Sequence, residues 1–143
     1  MITETQEQFK LFLDNKCLNP KDLFGIFEKK NEKVIRFFLP DHSVAEVEVH
    51  KDIKKATRVD ERGLFELPVA KDVGSPDYQI LYPFKKMHSP YDFDSLLGDL
   101  DIHLFNHGIH YELYKVLGSH ILELNKVEGT VFRVWAPNAQ KVS

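Results

Sequence analysis

The first apolar pattern along the chain has helical spacing. Phe9, Phe12, Leu13 and Cys17 recur at helical intervals, so residues 3–17 are predicted as one amphipathic helix. Thr3 with Gln6, or Thr5 with Gln8, supplies a capping box at its start, and Asn19-Pro20 ends it. The segment 20–25 (PKDLFG) reads as a single turn closing on Gly25. The period then changes from 3.6 to 2. Residues 33–39 place Ile35, Phe37 and Leu39 on one face, and residues 43–49 place Ala45, Val47 and Val49 inward. Pro40-Asp41-His42 has turn composition, so these two strands are predicted to form a hairpin. Residues 55–60 and 63–67 form a second predicted hairpin, turning at Glu61-Arg62-Gly63. After the turn Gly74-Ser75-Pro76-Asp77 comes a strand over 78–84, with Tyr78, Ile80, Tyr82 and Phe84 on a shared face. Five short strands at such spacing indicate an immunoglobulin-like antiparallel β-sandwich.

Beyond Pro90 the pattern returns to helical spacing. Residues 95–118 carry two apolar stripes, Leu96, Leu97, Leu100, Leu104 and Phe105, then Ile109, Leu113, Val116 and Leu117. A break near Gly108 separates them, and Gly118 is a natural stop. A strand is predicted over 130–135, followed by a turn at Ala136-Pro137-Asn138-Ala139 and a returning strand that begins at QKVS. The expected organisation is a sandwich with leading helix over 1–97, a helical connector over 98–118, and over 119–143 the truncated start of a second β-sandwich. A hairpin cut at its second strand leaves an open edge, so 130–143 is expected to be disordered, to dock abnormally, or to pair with another copy by strand addition.

Length bounds what such a chain can hold. Its 143 residues exclude a (β/α)₈ barrel, which needs about 250. A formal charge of −3 offers no basic footprint for nucleic acid, and no run approaches the ~18 apolar residues of a membrane span. A single cysteine and a polar N-terminus point to a reduced, cytoplasmic protein.

Candidate chemistry is sparse. His103, His107 and His110 are spaced to share a helical face, as three zinc ligands would, but Gly108 interrupts the helix and caps or hydrogen-bond anchors are the favoured roles. Asp92, Asp94, Asp99 and Asp101 lack the glycine a calcium loop needs at its sixth position, and helix capping is favoured for them. Cys17 belongs to the apolar side of the first helix, with burial favoured over activation. No phosphate loop or nucleophile elbow occurs, so no catalytic residue, metal site or cofactor is expected. Trp135 is the candidate of interest: an indole on a sheet face can stack on a pyranose ring, although a core role is the alternative.

Two strings carry a resemblance. Gly98, Leu100, Asp101, His103, Leu104, Phe105, Gly108, His110, Tyr114, Leu117, Gly118 and His120, followed by VFRVWAPNAQKVS (131–143), resemble the N-terminal region of bacterial 1,4-α-glucan (glycogen) branching enzymes. The Trp-Ala-Pro-Asn-Ala string (135–139) is similar to the opening of a family 48 carbohydrate-binding module, which debranching enzymes and isoamylases share. Residues 22–40, 63–67 and 89–93 resemble the extra first sandwich of many branching enzymes. One departure is His107, where the family usually has glutamate. The resemblance implies a parent of glycoside hydrolase family 13 that transfers α-1,4-glucan segments to a 6-hydroxyl, with its catalytic carboxylates in a barrel and on no position of 1–143. It implies α-glucan and that barrel as partners, with Trp135 as the substrate-binding candidate. The alternatives are a module that braces the barrel without touching sugar, and a debranching or isoamylase-type parent.

Overall fold

A computed structural model describes residues 4–17, 19–29, 32–94 and 96–140. The chain divides into two compact units, Met1–Phe93 and Asp94–Ser143. Among the described residues no helix is long and apolar enough to cross a membrane.

The first unit opens with helix α1 (Glu4–Leu13) and a 3₁₀ turn (Pro20–Asp22). Seven antiparallel strands follow: β1 (Gly25–Lys29), β2 (Glu32–Phe38), β3 (Ala45–Val49), β4 (Asp52–Asp60), β5 (Leu64–Val69), β6 (Tyr78–Tyr82) and β7 (Lys85–Met87). Their lateral order is β1-β2-β5-β4-β3-β6-β7. The long strand β4 turns this row into a sandwich. Its first half pairs with β3, from Asp52 on Val49 to Ala56 on Ala45, and its second half pairs with β5 from Thr57 onward. The sheet therefore folds over along β4 into two facing leaves. Ile35, Phe37, Phe65 and Leu67 from one leaf meet Ala45, Val47, Val49, Tyr78 and Ile80 from the other in one buried cluster. The expected sandwich is present.

Its outer side carries a second layer. Phe9 of α1, with Leu23, Phe24 and Leu64, forms a separate buried cluster flanked by Phe12, Leu13, Phe38 and Tyr91. The ring of Phe12 meets that of Phe24 edge-on at 4.7 Å, within the range where aromatic pairs gain beyond their area. Strand β2 is consequently covered on both faces, which is why Phe37 and Phe38 stand side by side in it. Arg36 lies buried in this layer. It bonds Glu66 directly across the strand pair (Nε to Oε1, 2.7 Å), donates to the Leu23 carbonyl at 3.3 Å, and stacks 4.6 Å from the Phe27 ring.

Several sequence expectations need correction. The predicted 33–39/43–49 hairpin does not form. Both edges of β2 are already taken, by β1 and β5, and Pro40-Asp41 instead carries the chain across to the other leaf. The second predicted hairpin is real, as β4–β5. Asp60 accepts the Arg62 backbone N–H at 2.9 Å in its turn, and Gly63 sits at φ +105 with no room for a Cβ, which would meet the Leu39 oxygen at 2.6 Å. Helix α1 ends at Leu13, short of residue 17, because Asn15 adopts φ +55 and stops it. Thr3 lies outside the described residues, and Thr5 sits within the helix, where its hydroxyl accepts from Arg36 at 3.4 Å. Phe84 is fully exposed in the β6–β7 turn and does not share the inward face of Tyr78 and Ile80.

The last residues of this unit tie its two leaves together. Ser89 is buried and caps a 3₁₀ turn (Pro90–Asp92). That turn aims Asp92 inward, where its carboxylate accepts the Ile26 N–H of β1 at 2.8 Å and the Tyr78 hydroxyl of β6. Burial pushes the Asp92 carboxyl above its usual range, against the two hydrogen bonds, and burial also pushes the Tyr78 phenol up. Gly25 is required beside it: its φ is +99, and a Cβ there would meet Asp92 Oδ1 at 2.5 Å.

The second unit holds helix α2 (Asp99–Asn106), a 3₁₀ turn (Leu113–Lys115), and a two-stranded antiparallel sheet of β8 (Gly118–Leu124) and β9 (Val127–Arg133). The second predicted helical stretch is only that 3₁₀ turn, because Gly108 at φ +68 ends α2 for good. Gly118 does not stop a helix; at φ +97 it opens β8. Strand β9 starts earlier than expected and pairs with the upstream strand β8; of the expected returning strand QKVS, residues 141–143 lie outside the described residues. The turn at Ala136–Ala139 is present, closed by Ala139 N to Ala136 O at 3.0 Å.

Substituting Asp92→Ala strands the Ile26 N–H and the Tyr78 hydroxyl and is expected to lower stability by about 2–4 kcal/mol. Asp92→Asn should cost less, since the amide still offers one acceptor and one donor. Urea unfolding of the intact chain followed by far-ultraviolet circular dichroism checks both. Asp60 behaves differently with pH. Its carboxyl is held at about 2 by the Arg62 guanidinium, so its contribution is intact above the ordinary range near 4 and is lost as pH falls toward 2. Asp60→Asn should flatten that part of the acid-unfolding profile.

Candidate functional site

In the second unit, Asp101 organises the geometry. Gly98 precedes α2, and its N–H donates to Asp101 Oδ2 at 3.1 Å, closing the helix start with a carboxylate against the positive end of the dipole. The other oxygen, Oδ1, meets His110 Nε2 at 2.9 Å. The His110 bond, then the Gly98 N–H, hold the Asp101 carboxyl below its usual range, with Arg133 contributing attraction. His110 is pulled back under the helix with its side chain only 6% exposed, and its Nδ1 is buried without a partner.

Above this pair lies a cleft of about 400 Å³. Its apolar wall comes from Ile102 and Phe105 of α2, Leu113 and Val116 near the 3₁₀ turn, and Val134 and Trp135 after β9. Asp101, Asn106 and Arg133 contribute polar atoms. Arg133 is fixed by one bond from Nη1 to the Val116 carbonyl at 2.9 Å. Trp135 follows the end of β9, two residues beyond Arg133, and so lies outside the strand on whose face it is expected. Its ring meets Phe105 edge-on, with centroids 4.8 Å apart and planes inclined by 67°. The indole remains 62% exposed, so much of its surface is open to a ligand. A flat aromatic surface beside polar side chains can stack on the apolar face of a ring-shaped ligand.

The sequence-predicted residues divide among several places. His103 and His107 do come together, with ring centroids 4.2 Å apart, but His110 faces Asp101 instead. Among the described residues no group of three or more His, Cys, Asp or Glu side chains is placed to hold a metal ion. Asp101 caps α2 and Asp99 lies in its first turn, whereas Asp92 clamps the sandwich of the first unit. Cys17 is partly buried beyond the end of α1. Phe105 and Arg133 were not singled out as cleft residues; the apolar stripe flagged Phe105 only as packing.

The first unit is a seven-strand sandwich with a leading helix, closed by a Ser-Pro-Tyr-Asp turn. Residues 5–93 match the family model described as alpha-1,4-glucan branching enzyme GlgB, N-terminal domain, and the chain belongs to that family. Among curated relatives, the 1,4-alpha-glucan branching enzyme GlgB of Protochlamydia amoebophila (strain UWE25) is 38% identical over 85% of this chain and 16% of its own length. That of Chlamydia trachomatis serovar L2 is 35% identical over 96% of this chain and 19% of its own, and that of Chlamydia felis likewise. The chain thus spans less than a fifth of the length of the relatives it matches.

The chain has a single tryptophan, so its fluorescence reports on this cleft alone. Phe105→Ala removes the edge contact and should shift Trp135 emission to the red; unchanged emission would show that Phe105 does not shield the indole.

Proposed function

We propose that this chain serves as the N-terminal accessory region of a 1,4-α-glucan branching enzyme, binding α-glucan and positioning it for a catalytic barrel in the cytoplasm. Membership of the branching-enzyme family sets the parent reaction in this reading: an α-1,4 linkage is cleaved and the freed segment is passed to a 6-hydroxyl. It also favours a branching over a debranching or isoamylase-type parent. Such chemistry uses two carboxylates flanking the scissile bond, and none is assigned to a residue of this chain. Residues 119–143 fit the reading as the beginning of a family 48 carbohydrate-binding module.

The observation that carries the glucan role is the exposed Trp135 ring, fixed by Phe105 at the mouth of the cleft. A rigid indole loses little conformational freedom when a pyranose stacks on it. Affinity electrophoresis in a glycogen-containing gel tests this. The chain should be retarded, and Trp135→Ala should lose most of the retardation. A chain that migrates as in a glycogen-free gel would support the bracing role instead.

Self-association is supported by a separate observation. Beyond Phe93 no described apolar residue is buried, and Ile121, Phe132 and Val134 are 76%, 73% and 65% exposed. Among the described residues β8 and β9 form a sheet of two strands with open outer edges, and such a sheet is marginal in water. A second copy adding a strand through 130–143 would cover that edge, and sedimentation should then show a concentration-dependent dimer that a proline at Val131 abolishes.

A further inference from the structure

His103 and His107 lie one helical turn apart at the C-terminal end of α2, and both are exposed. Their rings are inclined by 37° with centroids 4.2 Å apart. His107 Nδ1 bonds the His103 carbonyl oxygen at 2.8 Å. A carbonyl can only accept, so Nδ1 carries the proton and Nε2 of the neutral ring keeps a free lone pair. This is how metal-ligating histidines are generally held, with the second ring N–H donated to a backbone carbonyl or carboxylate. The terminal carbonyls of α2 add the negative end of the helix dipole, which favours a cation at this position.

We propose that His103 and His107 form a two-nitrogen surface site for a borderline divalent transition-metal ion such as Zn(II) or Ni(II). Paired imidazoles suit this class, whereas Mg(II) and Ca(II) require oxygen ligands. His110 is no third ligand, because its Nε2 is committed to Asp101. With two protein ligands, water fills the remaining coordination positions and the ion exchanges freely, unlike one in a closed four-ligand structural site.

His42 provides an internal control. It is partly exposed, and its Nδ1 bonds a backbone carbonyl, that of Pro40, at 2.8 Å, but it has no place in the His103–His107 pair. Zinc chloride or nickel chloride is titrated calorimetrically into the intact chain and into His103→Gln, His107→Gln and His42→Gln, with circular dichroism confirming that each variant is folded. The wild type and His42→Gln should bind alike. Either α2 substitution should weaken binding tenfold or more. In the wild-type proton spectrum the ring signals of His103 and His107 should move together, and magnesium chloride should move neither. Absence of binding by the wild type, undiminished binding in both α2 variants, or an equal response to magnesium would overturn the site.

Discussion

One partly buried carboxylate, that of Asp92, closes the first unit. Strand β4 joins the two leaves along one side of the sandwich by passing continuously from one to the other. Between β1 and β6 the leaves are joined by hydrogen bonds instead: Asp92 accepts from Ile26 of β1 in one leaf and from Tyr78 of β6 in the other. The constraint propagates. Gly25 must lack a side chain, Ser89 must cap the turn that presents Asp92, and Tyr78 must stay protonated to donate. Removing a carboxylate from water is costly, and here two hydrogen bonds offset part of that cost.

The second unit works on a smaller scale. Without a buried apolar residue among those described, it relies on local polar closure: Asp101 binds the start of α2 and the returning His110, and Arg133 holds the Val116 carbonyl. Phe105 and Trp135 meet edge-on in the lining of one cleft beside these bonds. Chemistry in this region therefore rests on a few directional contacts, while the first unit rests on extensive apolar packing.

The sequence pattern revealed most elements but not their partners. Period-2 alternation located the inward faces of β2 and β3 correctly, because burial on the inner side of a sandwich imposes that period. It could not show that β2 pairs with β5, since strand partnership depends on the crossing between leaves. Gly25 and Gly118 look like terminators in the sequence, yet each opens a strand at positive φ, so β1 and β8 begin where the pattern signals an end. Trp135 was legible as an aromatic available for stacking. Its edge contact with Phe105 was not, because only the folded chain brings the end of β9 to α2.

The family assignment follows from residues 5–93, whereas the proposed glucan role would be carried by the cleft of the second unit. Titrating a linear maltooligosaccharide while recording the fluorescence of Trp135, the chain's single tryptophan, tests it most directly. Stacking on the indole predicts a saturable change in emission that a non-glucan disaccharide such as sucrose does not produce. Emission that stays constant through the whole titration would contradict a glucan-binding cleft at Trp135.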